Sequence, residues 1–285
     1  MSEKVKIIEC PRDAMQGIKG FIPTEKKVAY INSLLEVGFD TIDFGSFVSP
    51  KAIPQLADTA LVLSGLNWSP EKAKLLAIIA NKRGALEAAM FDEITYLGFP
   101  FSVSETFQQR NTNASMDEAL LRVEEIQTIC LKQKKQLVLY ISMGFGNPYG
   151  DPYSPEIVKK WTEKMIGMDI KIISLADTIG VADAAVIAML FKDLIPSFPQ
   201  IEFGAHFHTT QDAWQEKVEA ACLHGCRRFD GAIKGYGGCP MAKDELTGNM
   251  PTEHLISYFE SQKMETGINY DAFNKSLLAS STIFL

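Results

Sequence analysis

Apolar runs rich in β-branched residues alternate with longer amphipathic segments eight times along the chain, which predicts an α/β fold of the (β/α)8 (TIM) barrel type. Two further observations agree with this fold class: the 285 residues suit one barrel, and neither a repeated sequence nor a linker divides them. A doubly wound open sheet is the alternative, but it more often has a glycine-rich phosphate loop after its first strand, and none follows here. We therefore expect residues 1–285 to form a single catalytic barrel domain with one extra helix at the C-terminal end.

Each predicted strand is a short apolar segment bounded by turn residues. In chain order the strands are predicted at residues 5–10, 40–44, 73–80, 94–101, 136–142, 171–175, 201–207 and 227–232.

Each predicted helix begins near a capping or acidic residue, as at Ser115, which is followed by Asp117 and Glu118. The helices are predicted at residues 24–37, from after Pro50 to about 64, and at 83–90, 115–133, 155–166, 183–195, 212–224 and 252–259. The tail at residues 269–280 is predicted to be the extra helix, packed on the outside of the barrel.

Composition restricts the classes of function. The formal net charge is −7 and the basic residues are scattered, so we expect no nucleic-acid partner. Five cysteines at irregular spacing argue against a secreted disulfide framework. The first residues lack the apolar core of a signal peptide, and no stretch approaches the length of a membrane span. The sequence therefore predicts a cytoplasmic protein without a membrane partner.

Two histidines lie two positions apart in the seventh predicted strand. Side chains at this spacing point to the same face of a strand, so His206 and His208 are expected to lie side by side. Two neutral imidazoles directed into one space favour a divalent metal ion. The alternative is one surface histidine and one hydrogen-bonded core histidine, because so short a motif is a weak indication by itself.

Polar residues recur where the other predicted strands end, while the bodies of the strands are apolar. Catalytic groups of a (β/α)8 barrel lie at the C-terminal ends of its strands. The polar residues at these ends are Arg12, Asp13, Gln16, Asp43, Ser46, Glu105, Asp177, Thr178, His206, His208, Cys239 and Asn249. Because scattered polar residues would not share one end of the barrel, this pattern favours the metal site over the alternative.

The predicted metal site combines the two imidazoles of His206 and His208 with the carboxylate of Asp13 and the amide oxygen of Asn249. Mixed nitrogen and oxygen ligands of this kind suit Mg²⁺ or Mn²⁺, with Zn²⁺ as a third possibility. Asp13 could instead be a turn residue that forms a salt bridge with Arg12.

Two further residues are candidates for the chemistry beside a metal. Arg12 stays protonated, so it cannot be a base, but it can stabilise a developing oxyanion or enolate. Cys239 follows three glycines in the segment Gly235-Tyr-Gly-Gly-Cys-Pro240, which is typical of a mobile loop. A thiol there could transfer protons, and a tolerated loop cysteine is the equal alternative.

Taken in order, several motifs resemble those of the 3-hydroxy-3-methylglutaryl-CoA lyases, a family of metal-dependent barrels. The resemblance covers nearly the whole chain. It rests on Glu9-Cys-Pro-Arg-Asp-Ala-Met-Gln16, Ser46-Phe-Val-Ser-Pro-Lys51, Ser104-Glu105 with Asn111-Thr-Asn113, Ile173-Ser-Leu-Ala-Asp-Thr-Ile-Gly180, His206-Phe-His208, Gly237-Gly-Cys-Pro240 and Gly248-Asn249.

The resemblance implies a carbon–carbon lyase that splits the hydroxymethylglutaryl thioester into acetyl-CoA and acetoacetate, as in leucine degradation. It matches Asp13, His206, His208 and Asn249 to metal ligands, and Arg12 and Cys239 to groups that act in the reaction. With them the expected catalytic residues are Gln16 and Asp43. The expected substrate contacts are Arg12, Gln16, Lys19, Ser46, Asn111 and Thr178. The implied partner is a small acyl-CoA molecule, and the implied assembly is a homodimer.

Two departures from the family pattern concern the substrate. Asp43 stands where a glutamate is usual, and Thr209 stands where an aspartate directly follows the second histidine. One alternative is therefore a related aldolase or acyl-CoA-condensing enzyme that acts on another hydroxy acid. The other is a binding protein that keeps the fold without catalysis, but the intact metal set argues against it.

Overall fold

Eight parallel strands close into a barrel in the computed structural model, which describes residues 3–238 and 247–284. Each strand pairs with the next one along the chain, and β8 pairs with β1 to complete the circle. The strands are β1 Lys6–Glu9, β2 Thr41–Ser46, β3 Lys74–Ile78, β4 Ile94–Ser102, β5 Gln136–Ser142, β6 Ile172–Asp177, β7 Glu202–Thr209 and β8 Arg228–Gly231. The (β/α)8 prediction is confirmed.

Helices cover the outside of this barrel. They are α1 Pro11–Gln16, α2 Thr24–Leu35, α3 Thr59–Ser64, α4 Lys82–Ala89, α5 Glu105–Thr112, α6 Met116–Lys132, α7 Pro155–Gly167, α8 Ala184–Ser197, α9 Trp214–Leu223, α10 Thr252–Ser261 and α11 Tyr270–Phe284. Within the described ranges, no helix is both long and apolar enough to cross a bilayer.

The helix boundaries differ from the prediction at three places. The helix expected from Pro50 to residue 64 is divided into a 3₁₀ turn at Pro54–Leu56 and the short α3. Two helices, α1 and α5, were not predicted, and α1 is the more important because it follows β1 at the barrel mouth. Six residues are fewer than two turns, which is too short for an apolar periodicity to be recognised.

The side chains of the strands pack in two layers. Those that point outward join the helices in the main core, which explains why the parallel strands are nearly continuous apolar runs. The side chains that point inward fill the barrel with a smaller apolar cluster of Leu76, Tyr96, Val138, Tyr140 and Ile172. Above this cluster the inward positions become polar, which places the candidate site at the C-terminal end of the strands.

The extra C-terminal helix, α11, packs against α2. The rings of Phe284 and Tyr30 meet edge to face with centroids 5.7 Å apart, and the Ser276 hydroxyl bonds to Ser33 at 3.0 Å. Phe284 also stacks on Tyr236, with centroids 4.5 Å apart. The predicted helix outside the barrel is thus confirmed, and it supports the segment that leads to the glycines after β8.

Glu9 is a fully buried carboxyl group that points outward from β1, away from the barrel interior. It accepts hydrogen bonds from the backbone N–H of Ile233, at 2.9 Å, and from the Thr252 hydroxyl, at 2.5 Å. These two residues lie before and after the glycine-rich segment, so Glu9 joins its two ends. Burial raises the pKa of Glu9 to about 8, since the two hydrogen bonds only partly offset the loss of water.

Glu9→Gln is expected to flatten the dependence of stability on pH. Between the ordinary pKa of 4.5 and the folded value of about 8, the folded protein binds more protons than the unfolded chain. The free energy of unfolding therefore falls as pH rises through this range, by up to about 1.4 kcal/mol per pH unit. Glutamine imitates the protonated acid, so urea denaturation at pH 5.5, 6.5 and 7.5 should give the variant a smaller slope. Equal slopes would contradict the role of Glu9.

Candidate active site

Helix α1 carries three of the predicted site residues to the barrel mouth. Pro11 occupies its first position, where a missing N–H costs no helical hydrogen bond. Arg12 and Asp13 are only 8% and 5% exposed. The turn therefore directs both charged side chains inward rather than to solvent, with Gln16 beside them.

His206 and His208 lie on the same face of β7, as their spacing predicts. Their ring centroids are 5.3 Å apart, in an edge-to-face arrangement. A two-residue strand, β9 at Gly248–Asn249, runs antiparallel to the end of β7 and places Asn249 opposite His208. The chain thus returns to this point some forty residues after β7, and the fold accounts for how Asn249 comes close to the histidines.

Hydrogen bonds fix how each imidazole is oriented. His208 Nδ1 lies 2.8 Å from the carbonyl oxygen of Thr178, and His206 Nδ1 lies 3.1 Å from Oδ2 of Asp230. A carbonyl oxygen can only accept, so His208 Nδ1 carries a hydrogen, and in the neutral imidazole Nε2 then carries the lone pair. This arrangement, with a hydrogen-bonded Nδ1 and a free Nε2, is the usual one for a histidine that binds a metal.

Two buried polar atoms that face each other have no hydrogen-bond partner among the described residues, Asp13 Oδ2 and His208 Nε2. They are 3.9 Å apart, which is too long for a hydrogen bond. Burying such atoms unpaired is costly, whereas two ligands of one cation are separated by about this distance. One ligand atom each from Asp13, His206 and His208 lies within 4.8 Å of the others. The residues therefore fit a divalent cation.

The charge state of Asp13 suits a ligand. Burial alone would raise its pKa, but Arg12 and the two histidines outweigh burial and hold the pKa well below its usual range. Asp13 is therefore ionised at neutral pH, and it need not lose a proton before it binds a cation.

A second group of potential ligands lies deeper in the barrel and shares His206. Cys10 and Asp230 each have one ligand atom close to that imidazole. However, Asp230 already accepts the hydrogen bond from His206 Nδ1, and burial raises the pKa of the Cys10 thiol well above its usual value. Because the thiolate is the form that binds metals, the upper group with Asp13 is the better site.

The guanidinium of Arg12 is held by carboxylates on two sides. Its Nε and Nη2 donate to Asp43 at 2.5–3.2 Å, while Nη1 donates to Asp13 at 2.8 Å and to Gln16 at 3.0 Å. Asp43 lies within β2 rather than at its end: the strand continues to Ser46, and its pairing with β3 is irregular between Asp43 and Gly45. The shorter side chain at this position thus still forms a two-pronged ion pair with Arg12.

The pKa values of this pair keep both groups charged at neutral pH. Burial raises the pKa of Asp43 to about 6, against the lowering effect of Arg12. For Arg12, burial acts to lower the pKa, but Asp43 and Asp13 outweigh burial and raise it above its usual value. Asp43 therefore stays ionised at neutral pH while it holds the guanidinium in place.

The structure separates the other predicted residues into two groups. Ser46 and Thr178 are buried near the mouth, but their hydroxyls already form hydrogen bonds with the backbone. The Ser46 hydroxyl donates to Ile78 O, and the Thr178 hydroxyl accepts from the N–H of Met143. Lys19, between α1 and α2, and Asn111, on α5, are exposed at the same end of the barrel. Cys239 lies outside the described residues.

The segment that leads to Cys239 packs closely on the site. Gly237 has a positive φ of +84°, and a Cβ there would lie 2.7 Å from the carbonyl oxygen of Asp13 and 3.0 Å from Nδ2 of Asn249. Asn249 Nδ2 also donates to the Tyr236 carbonyl at 2.8 Å. That bond orients the amide so that its oxygen points away from Tyr236 O. Only glycine can bring the backbone this near to two of the predicted ligands.

Three supporting groups were missed in the sequence. Asp230 could have been found, since it lies at an inward position of β8, two residues after the buried Arg228. The Thr178 carbonyl leaves no trace in the sequence, because any residue has one. Lys217, on α9, looks like a surface lysine in the sequence, but it is 2% exposed.

Comparisons with known proteins agree with this arrangement. The family model described as HMGL-like matches residues 4–277. The chain is 33% identical to the cytoplasmic 3-hydroxy-3-methylglutaryl-CoA lyase of Danio rerio, over 93% of this chain and 78% of that protein. It is 32% identical to the 3-hydroxy-3-isohexenylglutaryl-CoA/hydroxymethylglutaryl-CoA lyase of Pseudomonas aeruginosa, over 95% and 90% of the two chains.

A solved structure supports the same relationship. The HMG-CoA lyase of Acinetobacter baumannii, in complex with coenzyme A and 3-methylmalate, superimposes with a TM-score of 0.90 at 31% identity. The match covers 99% of this chain and 91% of that one. With a family model that covers nearly the whole length and relatives above 30% identity, the chain belongs to the HMGL-like family.

Proposed function

We propose that the protein cleaves 3-hydroxy-3-methylglutaryl-CoA into acetyl-CoA and acetoacetate. The observation that carries the proposal is the pair of buried, unpartnered ligand atoms on Asp13 and His208, beside His206 and the charged Arg12. Relatives named as HMG-CoA lyases, and one that binds coenzyme A, support an acyl-CoA substrate. An aldolase or condensing enzyme is less favoured, since the relatives named here are lyases.

The proposed ligands of the cation are Asp13, His206, His208 and the amide oxygen of Asn249. A bound divalent cation would polarise the substrate oxygens and lower the pKa of the tertiary hydroxyl. Mg²⁺ or Mn²⁺ is our first choice because half of the ligand set is oxygen, and Zn²⁺ is the second.

Arg12 is proposed to stabilise the enolate of the departing acetyl-CoA. After the tertiary hydroxyl loses its proton, C3 becomes the ketone carbon of acetoacetate as the bond between C2 and C3 breaks. The electron pair of that bond moves onto the thioester, whose oxygen becomes negative. Within residues 3–238 and 247–284, four of the five guanidinium N–H groups bond to Asp43, Asp13 and Gln16, so one N–H on Nη2 remains for that oxygen. Asp43 and Gln16 then act by fixing the direction of this donor, which is electrostatic preorganisation.

Cys239 is proposed to deliver the proton that converts the enolate carbon into the methyl group of acetyl-CoA. The close approach of Gly237 to Asp13 supports this role, because Cys239 follows only two residues later. Cys239→Ser should lower kcat by at least about 100-fold, the usual range for loss of a proton-transfer group, and leave the Kd for Mn²⁺ unchanged. Cys222→Ser, on α9, is the control that should keep kcat. A loss of Mn²⁺ binding in Cys239→Ser would contradict the role in proton transfer.

The remaining proposals concern context. Substrate contacts are assigned to Arg12, Gln16, Lys19, Ser46, Asn111 and Thr178. We further propose that residues 1–285 act as one catalytic domain in a cytoplasmic homodimer, in leucine degradation. Light scattering after gel filtration tests the dimer directly.

An activity assay tests the proposed function. Protein treated with EDTA should be inactive on hydroxymethylglutaryl-CoA, and added Mg²⁺ or Mn²⁺ should restore the release of acetoacetate and acetyl-CoA in equal amounts. The isohexenyl analogue should be tested in parallel, since one relative is named for that substrate. No cleavage of either thioester with any of Mg²⁺, Mn²⁺ or Zn²⁺ would refute the proposal.

A further inference from the structure

Lys217 is a buried lysine on α9, below the end of β7. Its side chain is 3% exposed. Its ammonium donates to three oxygens, Asp177 Oδ2 at 2.7 Å, Gly180 O at 3.0 Å and His208 O at 2.9 Å. An ammonium group has three N–H donors, so each is used once. Because all three N–H donors of this buried ammonium are used, the positions of all three acceptors are fixed.

Two of these acceptors belong to the turn that follows β6. The other carboxylate oxygen of Asp177, Oδ1, accepts from the backbone N–H groups of Val181 and Ala182, at 2.8 and 3.1 Å. Together with the bond from Lys217 to Gly180 O, these contacts close the turn at residues 177–182 on itself. The turn is therefore rigidly attached to α9.

The same turn supplies the carbonyl that orients His208. Thr178 O accepts from His208 Nδ1, while Lys217 holds the backbone oxygen of His208 itself. Lys217 thus fixes both partners of the hydrogen bond between His208 Nδ1 and Thr178 O. It bonds to the turn that contains Thr178 and to the backbone of the strand that carries His208. If either end moved, the imidazole would rotate and Nε2 would no longer face Asp13 Oδ2, 3.9 Å away.

Gly180 links this turn to the segment before Asn249. It has a positive φ of +74°, and a Cβ there would lie 2.5 Å from Cγ2 of Thr247. The turn held by Lys217 therefore abuts the residue just before β9. Displacement of the turn would therefore shift His208 on one side of the metal site and Asn249 on the other.

We infer that Lys217 is a positioning residue for the metal site, which sets the tautomer and the direction of the His208 imidazole without contacting metal or substrate. The inference rests on the proposed metal-dependent function. Its effect is geometric, because the adjacent Asp177 carboxylate neutralises the ammonium charge. Groups that support metal-binding histidines in this way typically contribute about 10–100-fold to metal affinity.

Metal binding in charge-matched variants tests the inference. Lys217→Met leaves the Asp177 carboxylate buried without its cationic partner, which by itself destabilises the folded protein. The double variant Lys217→Met/Asp177→Asn removes that charge, and its amide oxygen can still accept from Val181 and Ala182. With EDTA-treated protein and MnCl₂, measured by the electron paramagnetic resonance of free Mn²⁺, the double variant should bind at least about tenfold more weakly than wild type.

Lys27→Met/Asp58→Asn is the matched control, since it also replaces both members of a buried ion pair. Lys27 is 1% exposed and also forms a buried ion pair, with Asp58 at 2.7 Å, but it lies on α2, away from the histidines. This variant should lose thermal stability to a similar extent and keep the Kd for Mn²⁺ within twofold of wild type. An Mn²⁺ affinity that falls no further in Lys217→Met/Asp177→Asn than in Lys27→Met/Asp58→Asn overturns the inference.

A spectroscopic readout separates this inference from the proposed function. The chain has four histidines, so their ring nitrogens can be assigned by ¹⁵N NMR in metal-free protein. His208 should carry its hydrogen on Nδ1 in wild type and in Lys27→Met/Asp58→Asn, and should become a mixture of tautomers in Lys217→Met/Asp177→Asn. An unchanged tautomer overturns the role of Lys217. If wild type binds no Mn²⁺ at all, the proposed choice of Mn²⁺ fails, and the tautomer alone decides about Lys217.

Discussion

His208→Ala is expected to lower kcat/KM for cleavage of hydroxymethylglutaryl-CoA by at least about 1,000-fold. The variant loses one of three ligand atoms that lie within 4.8 Å of one another. A metal that polarises a substrate oxygen supplies several kcal/mol of transition-state stabilisation, and about 4 kcal/mol corresponds to this factor. The measurement is steady-state acetoacetate release at saturating Mg²⁺ and again at saturating Mn²⁺.

Thermal denaturation checks the same prediction without an assay of activity. In wild type, added Mn²⁺ should raise Tm, because a ligand that binds only the folded state stabilises it by RT ln(1 + [L]/Kd). His208→Ala should lose most of this rise. The control is His224→Ala, since the His224 imidazole bonds to Ala220 O at the C-terminal end of α9 and is not one of the proposed ligands. A wild-type rise in His208→Ala would show that His208 is not a ligand.

Sequence periodicity was enough to predict the barrel and the direction of the two histidines. In a strand the period of two leaves no choice, so once the stretch that ends at His208 was assigned to a strand, His206 and His208 had to share a face. The position of Asp13 followed less directly. The structure places it on a short helix, and the prediction brought it to the same mouth only because β1 ends there.

Contacts between elements that lie far apart in the chain could not be predicted from the sequence. Lys217 lies among charged residues of α9, and only the packing of α9 on β7 turns it inward toward Asp177. Asp43 was expected at the end of its strand, whereas β2 continues to Ser46, with an irregularity in its pairing with β3 just after Asp43. A backbone carbonyl such as that of Thr178 has no residue type by which it could be recognised. These supports depend on three-dimensional proximity rather than on local pattern.

Arg12→Gln is expected to lower kcat by at least about 100-fold, or roughly 3 kcal/mol of barrier, with a change in KM of only a few-fold. The reason is that the free N–H on Nη2 strengthens its hydrogen bond as the thioester oxygen gains charge, so it acts on the transition state more than on binding. Arg83→Gln is the control, because Arg83 is exposed on α4, where it pairs with Glu87 at 3.6 Å.

The unpaired Asp43 in Arg12→Gln requires a second variant. Removing one partner of a buried ion pair costs about 3–5 kcal/mol of stability, which could lower activity through the fold alone. Arg12→Gln/Asp43→Asn removes the uncompensated carboxylate, so its Tm should recover while kcat stays low. If kcat recovered together with Tm, the loss in the single variant would come from a damaged fold. If instead kcat stayed near the wild-type value and KM rose steeply, Arg12 would only anchor the substrate, and stabilisation of the enolate would have to come from another donor at the barrel mouth.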